Sequence, residues 1–281
     1  MKYIKKIAVL TLLSAFVLTS CDKKQDVVKN NSFIDYELIG IEHNKGLDFV
    51  FEYVKQESQN KNVKNPLDFM LLVEKGTQEF IKTAQVFQNE TNREIALNES
   101  KKPFLFYSSY TSSNNLKTST LDKLYPTDVE HLLSLKQKEI LNELNEILSN
   151  SSLSIENIIT ELNNLEERIK SECKNEEIDI LLSATSIGRH SFEYWEANLD
   201  KWISAFGSSY NLNRTQAIKW GDVGKNDVAY GVGGGLGGAL VGGAVSFGIL
   251  SLPGWVAGAI GGAVAGSVGN AILQAWGPRY G

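Results

Sequence analysis

The chain has 281 residues, 42% of them hydrophobic and 22% charged, a composition that argues against global disorder and leaves room for one large or two modest domains. A net charge of −5 at pH 7 offers no basic field to a phosphate backbone, so nucleic acid is not an expected partner.

Residues 1–20 read as an export signal. Lys2, Lys5 and Lys6 form a positive start, and Ile7 to Val17 an apolar stretch too short to span a membrane with these flanks. The segment ends Leu18-Thr19-Ser20-Cys21, which resembles the bacterial lipoprotein signal: a leucine, two small residues, then the lipid-accepting cysteine. That resemblance implies diacylglycerol on the Cys21 sulfur, cleavage before Cys21 and acylation of the new amino group, with membrane lipid as the partner; the alternative is an ordinary secretory signal with a chance cysteine. Several acyl chains at about 0.8 kcal/mol per buried CH₂ make a stable anchor. Asp22 resembles an inner-membrane retention signal of enteric bacteria, but the Asn-, Lys- and Ile-rich composition is Bacteroidota-like, where sorting differs; both membranes stay open, the outer favoured. Residues 21–32 are a polar tether. Of the two cysteines lipidation consumes one, so no internal disulfide is possible and Cys173 is a buried small hydrophobe or an intermolecular bridge.

From 33 to 210 the periodicity predicts an all-α, bundle-like ectodomain. Leu47, Val50, Phe51 and Val54 form a buried stripe. A second helix runs from Leu67 to about Phe87, opened by Asn65-Pro66. Residues 98–120 read as the least regular part, with Pro103 and a Ser/Thr/Asn cluster marking a surface loop. Pro126-Thr127-Asp128-Val129-Glu130 reads as a helix start with Thr127 as cap and Glu130 in the reciprocal position. That helix buries Leu133, Ile140, Leu144, Ile147 and Leu148; the next buries Ile155, Ile158, Ile159, Leu162, Leu165 and Ile169. A long stretch from Glu176 to Phe206, with a pause expected at Gly188, presents Phe192, Trp195, Leu199, Trp202 and Phe206 on one face.

No catalytic constellation emerges, and we expect no enzyme and no cofactor. His43, His131 and His190 fall in separate segments without metal-ligand spacing. There is no Gly-x-Ser-x-Gly elbow or Walker loop, and Gly-Val-Gly-Gly-Gly-Leu-Gly at 231–237 lacks a preceding strand. Two polar clusters stand out: Glu42-His43-Asn44, and Arg189 to Trp195. Satisfied histidines at a helix interface are the simpler expectation for both.

After a linker at 211–227, residues 228–281 form a glycine-rich two-helix hairpin, uncharged from Val228 to Pro278. Gly234, Gly238 and Gly242 recur at four-residue intervals, as do Gly254, Gly258, Gly262 and Gly266, with Ala257, Gly261, Ala265 and Gly269 in an adjacent row. Residues four apart share a helix face, so each row is a groove for close helix approach. Val256, Ile260, Val264, Val268 and Ile272 make an opposite, branched face expected to meet lipid. Val228–Leu250 and Trp255–Trp276, parted at Leu252-Pro253-Gly254, would each be roughly 33 Å long against a hydrocarbon core of about 30 Å. Tyr230, Trp255 and Trp276 would lie at the interfaces. The pattern resembles the glycine-zipper hairpins of bacterial envelope lipoproteins and, more loosely, Gly-rich segments of membrane-active bacteriocins. The first resemblance implies an envelope lipoprotein with a structural or interaction role, able to form homo-oligomers through its glycine rows. The second implies a pore former shielded by its ectodomain. A soluble hairpin packed on its own ectodomain is the third arrangement.

Overall fold

The computed structural model describes residues 35–60, 63, 66–112, 122–210, 220–242 and 254–276. The export signal, Cys21, the tether, the Ser/Thr/Asn-rich residues 113–121 and the Leu252-Pro253 break lie outside the described residues. Among the described residues eight helices carry the fold: α1 (Tyr36–Asn60), α2 (Pro66–Thr83), α3 (Glu90–Ser112), α4 (Leu135–Ser149), α5 (Ile155–Glu172), α6 (Asn175–Tyr210), α7 (Trp220–Gly242) and α8 (Gly254–Trp276). Short 3₁₀ turns stand at Gln85–Phe87 and Glu130–Leu132, and no strand occurs among the described residues. The all-α class predicted by periodicity is therefore the fold.

The amphipathic stripes bury as their spacing predicts. On α1, Ile39, His43, Leu47, Val50, Phe51 and Val54 face inward, and on α5, Ile158, Leu162, Leu165 and Ile169 do. Ile155, Ile159 and, on α4, Ile147 are half-buried at the margins of their stripes. Pro66 opens α2, where its missing N–H costs no helical bond. Phe51, Trp202, Phe206 and Phe69 stack edge to face, with centroids 5.1 Å apart for Phe51–Trp202 and 5.2 Å for Phe69–Phe206, and tie α1, α2 and α6 together.

Three local expectations are corrected. The helix start lies at Ser134, not Thr127: the Ser134 hydroxyl accepts from Gln137 N while the Gln137 side chain returns to Ser134 N. Pro126 to Leu132 instead forms turns and a 3₁₀ segment, cut off by an extended Leu133. Residues 98–112 are helical despite Pro103. Proline removes the bond to the Glu99 carbonyl, but α3 has Ile95, Ala96 and Phe104 buried, and packing overrides the local penalty. Gly188 does not interrupt α6, which runs unbroken for 36 residues. A β-carbon there would stand 3.2 Å from Val228 Cγ2, so the glycine is where α7 closes on α6.

The largest correction concerns the hairpin. From Ile34 onward the chain is one compact unit, and α8 is its innermost helix, lying against α7, α3, α1, α2 and α6. Val256, Ile260, Val264 and Val268, expected to face lipid, are completely buried in protein. Val264 fills the space opposite Gly46 of α1. The Ile272 and Trp276 side chains lie outside the described residues, and Tyr230 and Trp255 are half-buried. Residues 220–227, expected as linker, are the first two turns of α7. Among the described residues no helix is long and apolar enough to cross a membrane.

The glycine rows are used inside the molecule. A β-carbon on Gly234 would overlap the Gly258 carbonyl oxygen, one on Gly258 the Gly234 carbonyl, and one on Gly262 the Tyr230 carbonyl. Gly238 meets the Gly254 carbonyl in the same way. Each step of four up α7 thus meets a step of four down α8, backbone on backbone. The adjacent row serves α3: a β-carbon on Gly261 would lie 2.7 Å from the Ala96 carbonyl oxygen. Gly266 sits under the Tyr230 ring, Gly269 is buried on α8, and Gly242 is the last residue of α7.

Replacing Gly258 by alanine is expected to destabilise the protein by about 2 kcal/mol or more, because backbone cannot yield as a side chain can. Gly76→Ala, where a β-carbon would meet the Tyr53 ring edge at 3.0 to 3.4 Å, should stay within about 0.5 kcal/mol of the parent, helix propensity offsetting the contact. Urea unfolding of the two variants checks the contrast.

Candidate functional site

The two polar clusters picked out in the sequence meet. α1 brings Glu37, Gly40, His43 and Asn44 to one face by helical spacing, and α6 lies across it with Ser186, Arg189, His190, Ser191 and Trp195. Gly40 permits the approach, since a β-carbon there would overlap the His190 ring. The Asn44 amide donates to the His190 carbonyl at 3.1 Å. At the surface, Arg189 pairs with Glu37 and stands 3.6 Å from Glu166, and His190 lies 3.1 Å from Glu37 and 3.5 Å from Glu193. Partial burial opposes ionisation of Glu37, but His190 and Arg189 outweigh it and hold the carboxyl below its usual range.

Beneath this surface layer lies a closed polar core to which four helices contribute. Asp227 of α7, His43 of α1 and Ser267 of α8 have no solvent exposure, and Ser191 and Trp195 of α6 retain 1% each. Asp227 Oδ2 accepts from the Ser191 hydroxyl and from Ser267 Oγ at 2.7 Å. Trp195 Nε1 donates to Ser267 Oγ at 2.8 Å. His43 Nε2 stands 3.8 Å from Asp227 Oδ2. His43 Nε2 and Asp227 Oδ1 have no hydrogen-bond partner.

The tautomer of His43 follows from its neighbour. Because Asn44 Nδ2 donates to the His190 carbonyl, Asn44 Oδ1 is the atom facing His43 Nδ1, at 2.9 Å. Nδ1 therefore carries the proton and Nε2 presents a lone pair. Burial depresses His43 to about 4, the Asn44 hydrogen bond opposing this and the nearby His190 reinforcing it. Burial pushes Asp227 up to about 8 against the two serine hydroxyls. At 3.8 Å the two could exchange a proton to become an ion pair, but full desolvation penalises both charges, so the pair is a neutral acid facing a neutral imidazole.

Chemically this is not a nucleophile and its base. The serine hydroxyls donate to the acid, and His43 Nε2 accepts from neither. His131 lies on the Glu130–Leu132 turn, apart from the cluster. Cys173 is half-buried at the end of α5, its thiol pushed up by burial. Among the described residues no group of His, Cys, Asp or Glu is placed to hold a metal. Of the functional candidates, sequence reasoning missed Ser267 and saw Asp227 only as the end of the uncharged run. The available signal was that a lone acid opening such a run on a glycine-rich helix must find a polar partner.

Replacing Ser267 by alanine leaves the Trp195 indole N–H without its acceptor and takes one donor from Asp227, and should cost about 1–3 kcal/mol. A double-mutant cycle with Trp195→Phe should show coupling, the second change costing measurably less in the Ser267→Ala background. No protein family, characterised protein or solved structure matches this chain.

Proposed function

We propose that this protein is a cell-envelope lipoprotein, held by acylated Cys21, whose helical domain carries the glycine-zipper hairpin as its innermost layer and acts by interaction rather than catalysis. The observation that carries this reading is the burial of α8 among five helices of its own domain. A hairpin whose apolar and glycine faces are already covered has no need of lipid to satisfy them, so attachment falls to the cysteine and the polar tether. The closed polar core supports a non-enzymatic role, because its histidine and serines face each other's helices and not a cleft.

The rows that would support self-association are filled within the chain, Gly234 by Gly258 and Gly261 by Ala96. A homo-oligomer through them requires the hairpin to open first. One observation favours the second reading, a membrane-active protein shielded by its ectodomain. α7 and α8 meet backbone on backbone at Gly234–Gly258, Gly238–Gly254 and Tyr230–Gly262, against one such contact of α7 outside the hairpin, Gly221 with the Leu148 carbonyl of α4, and α8 has no ionisable side chain, so the hairpin could leave the bundle as a unit.

Fractionation of cells expressing the full chain and its Cys21→Ala variant tests the proposal. The parent should partition with membranes, and the variant should appear in the soluble exported fraction with α8 still protected from protease. A variant that resists carbonate extraction from membranes would make the hairpin the anchor and overturn it. For the second reading, the full-length protein should release dye from anionic liposomes.

A further inference from the structure

Asp227 is the last charged residue before the uncharged run, and its carboxyl sits where α1, α6, α7 and α8 converge. Two atoms of this closed core lack partners: a carboxyl oxygen on α7, and an imidazole lone pair on α1. With Asp227 protonated and His43 neutral the core carries no charge. Removal of the Asp227 proton leaves a negative charge with no exposure to water, met only by the two serine hydroxyls, at the junction that joins the hairpin to α1 and α6. A buried unpaired charge is among the few single changes large enough to open a packed interface.

We propose that His43 and Asp227 form a proton-operated clasp: the α7–α8 hairpin is held in the bundle while the pair carries one proton, and loosens from α1 and α6 when that proton is lost. Other ionisable groups face the pair sparsely. α6 contributes His190, which acts on His43 through space. α7 carries Asp222 and Lys225 in its first turns, α3 places Glu99 against Gly237, ten residues further along α7, and α8 offers uncharged Ser267 and Asn270.

The sign follows from the two shifts. Asp227 is raised from 3.8 to about 8 in the closed form, so closing retains a proton that the open form releases across that range. His43 is lowered from 6.5 to about 4, so below 6.5 the open form takes up a proton that the closed form does not. Between about pH 4 and 6.5 the two effects cancel. Above about 6.5 the Asp227 proton dominates, and the opening equilibrium should rise about eightfold between pH 6.5 and 8, and about 30-fold in all from its level below pH 6 to its plateau well above 8.

This rests on the reading that the hairpin is stored in the domain, and its test needs no membrane, so its failure leaves the lipid anchor untouched. Amide hydrogen exchange of the full-length protein, corrected for intrinsic base catalysis, should show opening of α7 and α8 rising about eightfold from pH 6.5 to 8 while α4 and α5 do not follow. Asp227→Asn should abolish the rise, and His43→Gln should extend it below pH 6.5 by removing the compensating group. The same rise in Asp227→Asn, or an equal rise in α4 and α5, overturns the clasp. Should Asp227→Asn fail to fold, infrared titration of the parent decides: a protonated carboxyl band at pH 6.5 that disappears by pH 9 supports the proposal, and its absence at pH 6.5 overturns it.

Discussion

The backbone contact between α7 and α8 is the constraint from which the rest of this structure follows. Where the Gly234 and Gly258 carbonyls occupy the space a β-carbon would need, two helices lie closer than any side chain permits. Such helices have poor intrinsic stability, each glycine costing about 1 kcal/mol relative to alanine. They depend on tertiary packing, and α1, α2, α3 and α6 supply it around α8. The dependence runs both ways. α1 also packs on α2 and α6, and α3 on α2 and α7, but without α8 the faces that α1 and α3 turn towards it would lose their cover.

This mutual dependence explains what was legible in the sequence. The stripes of α1, α4, α5 and α6 could be read because a helix half in water must segregate its residues, and segregation has a period. The medium around α8 could not be read, because close helix packing selects the same small residues in lipid and in a protein core. The branched residues opposite the glycines face neighbours either way; only the identity of the neighbour differs. A hint did exist on α1, where Gly40 and Gly46 interrupt an amphipathic helix for no local reason. Each marks a close contact, with the His190 ring and with Val264. Small residues on the sheath as well as on the hairpin are what a hairpin packed inside its own domain needs.

The local errors have a related origin. Thr127 and Ser134 both head sequences that satisfy the capping-box pattern, and the pattern alone does not rank them. Intrinsic propensity puts breaks at Pro103 and Gly188, yet both sit where a neighbouring helix decides. The polar clusters on α1 and α6 were visible, but their meeting joins residues some 146 positions apart, as in the Asn44–His190 bond, and no local signal encodes that separation.

The buried polar core also resolves an ambiguity that the glycine seam creates. A seam repeating every four residues is degenerate: sliding α8 by one turn against α7 still sets glycine opposite glycine along much of its length. Apolar packing of Ala and Val discriminates weakly between such registers. Asp227 and Ser267 discriminate strongly, since their 2.7 Å hydrogen bond forms in one register alone, and a slip of about 6 Å would strand a buried acid. Trp195, donating to the same Ser267, fixes α8 against α6 at that point as well. Asn270 of α8, donating to the Asp222 carbonyl of α7 at 2.8 Å, marks the same register, and such few polar contacts in a glycine-rich interface trade stability for uniqueness. The acid that sets the register thereby becomes the group on whose protonation the packing of the hairpin depends.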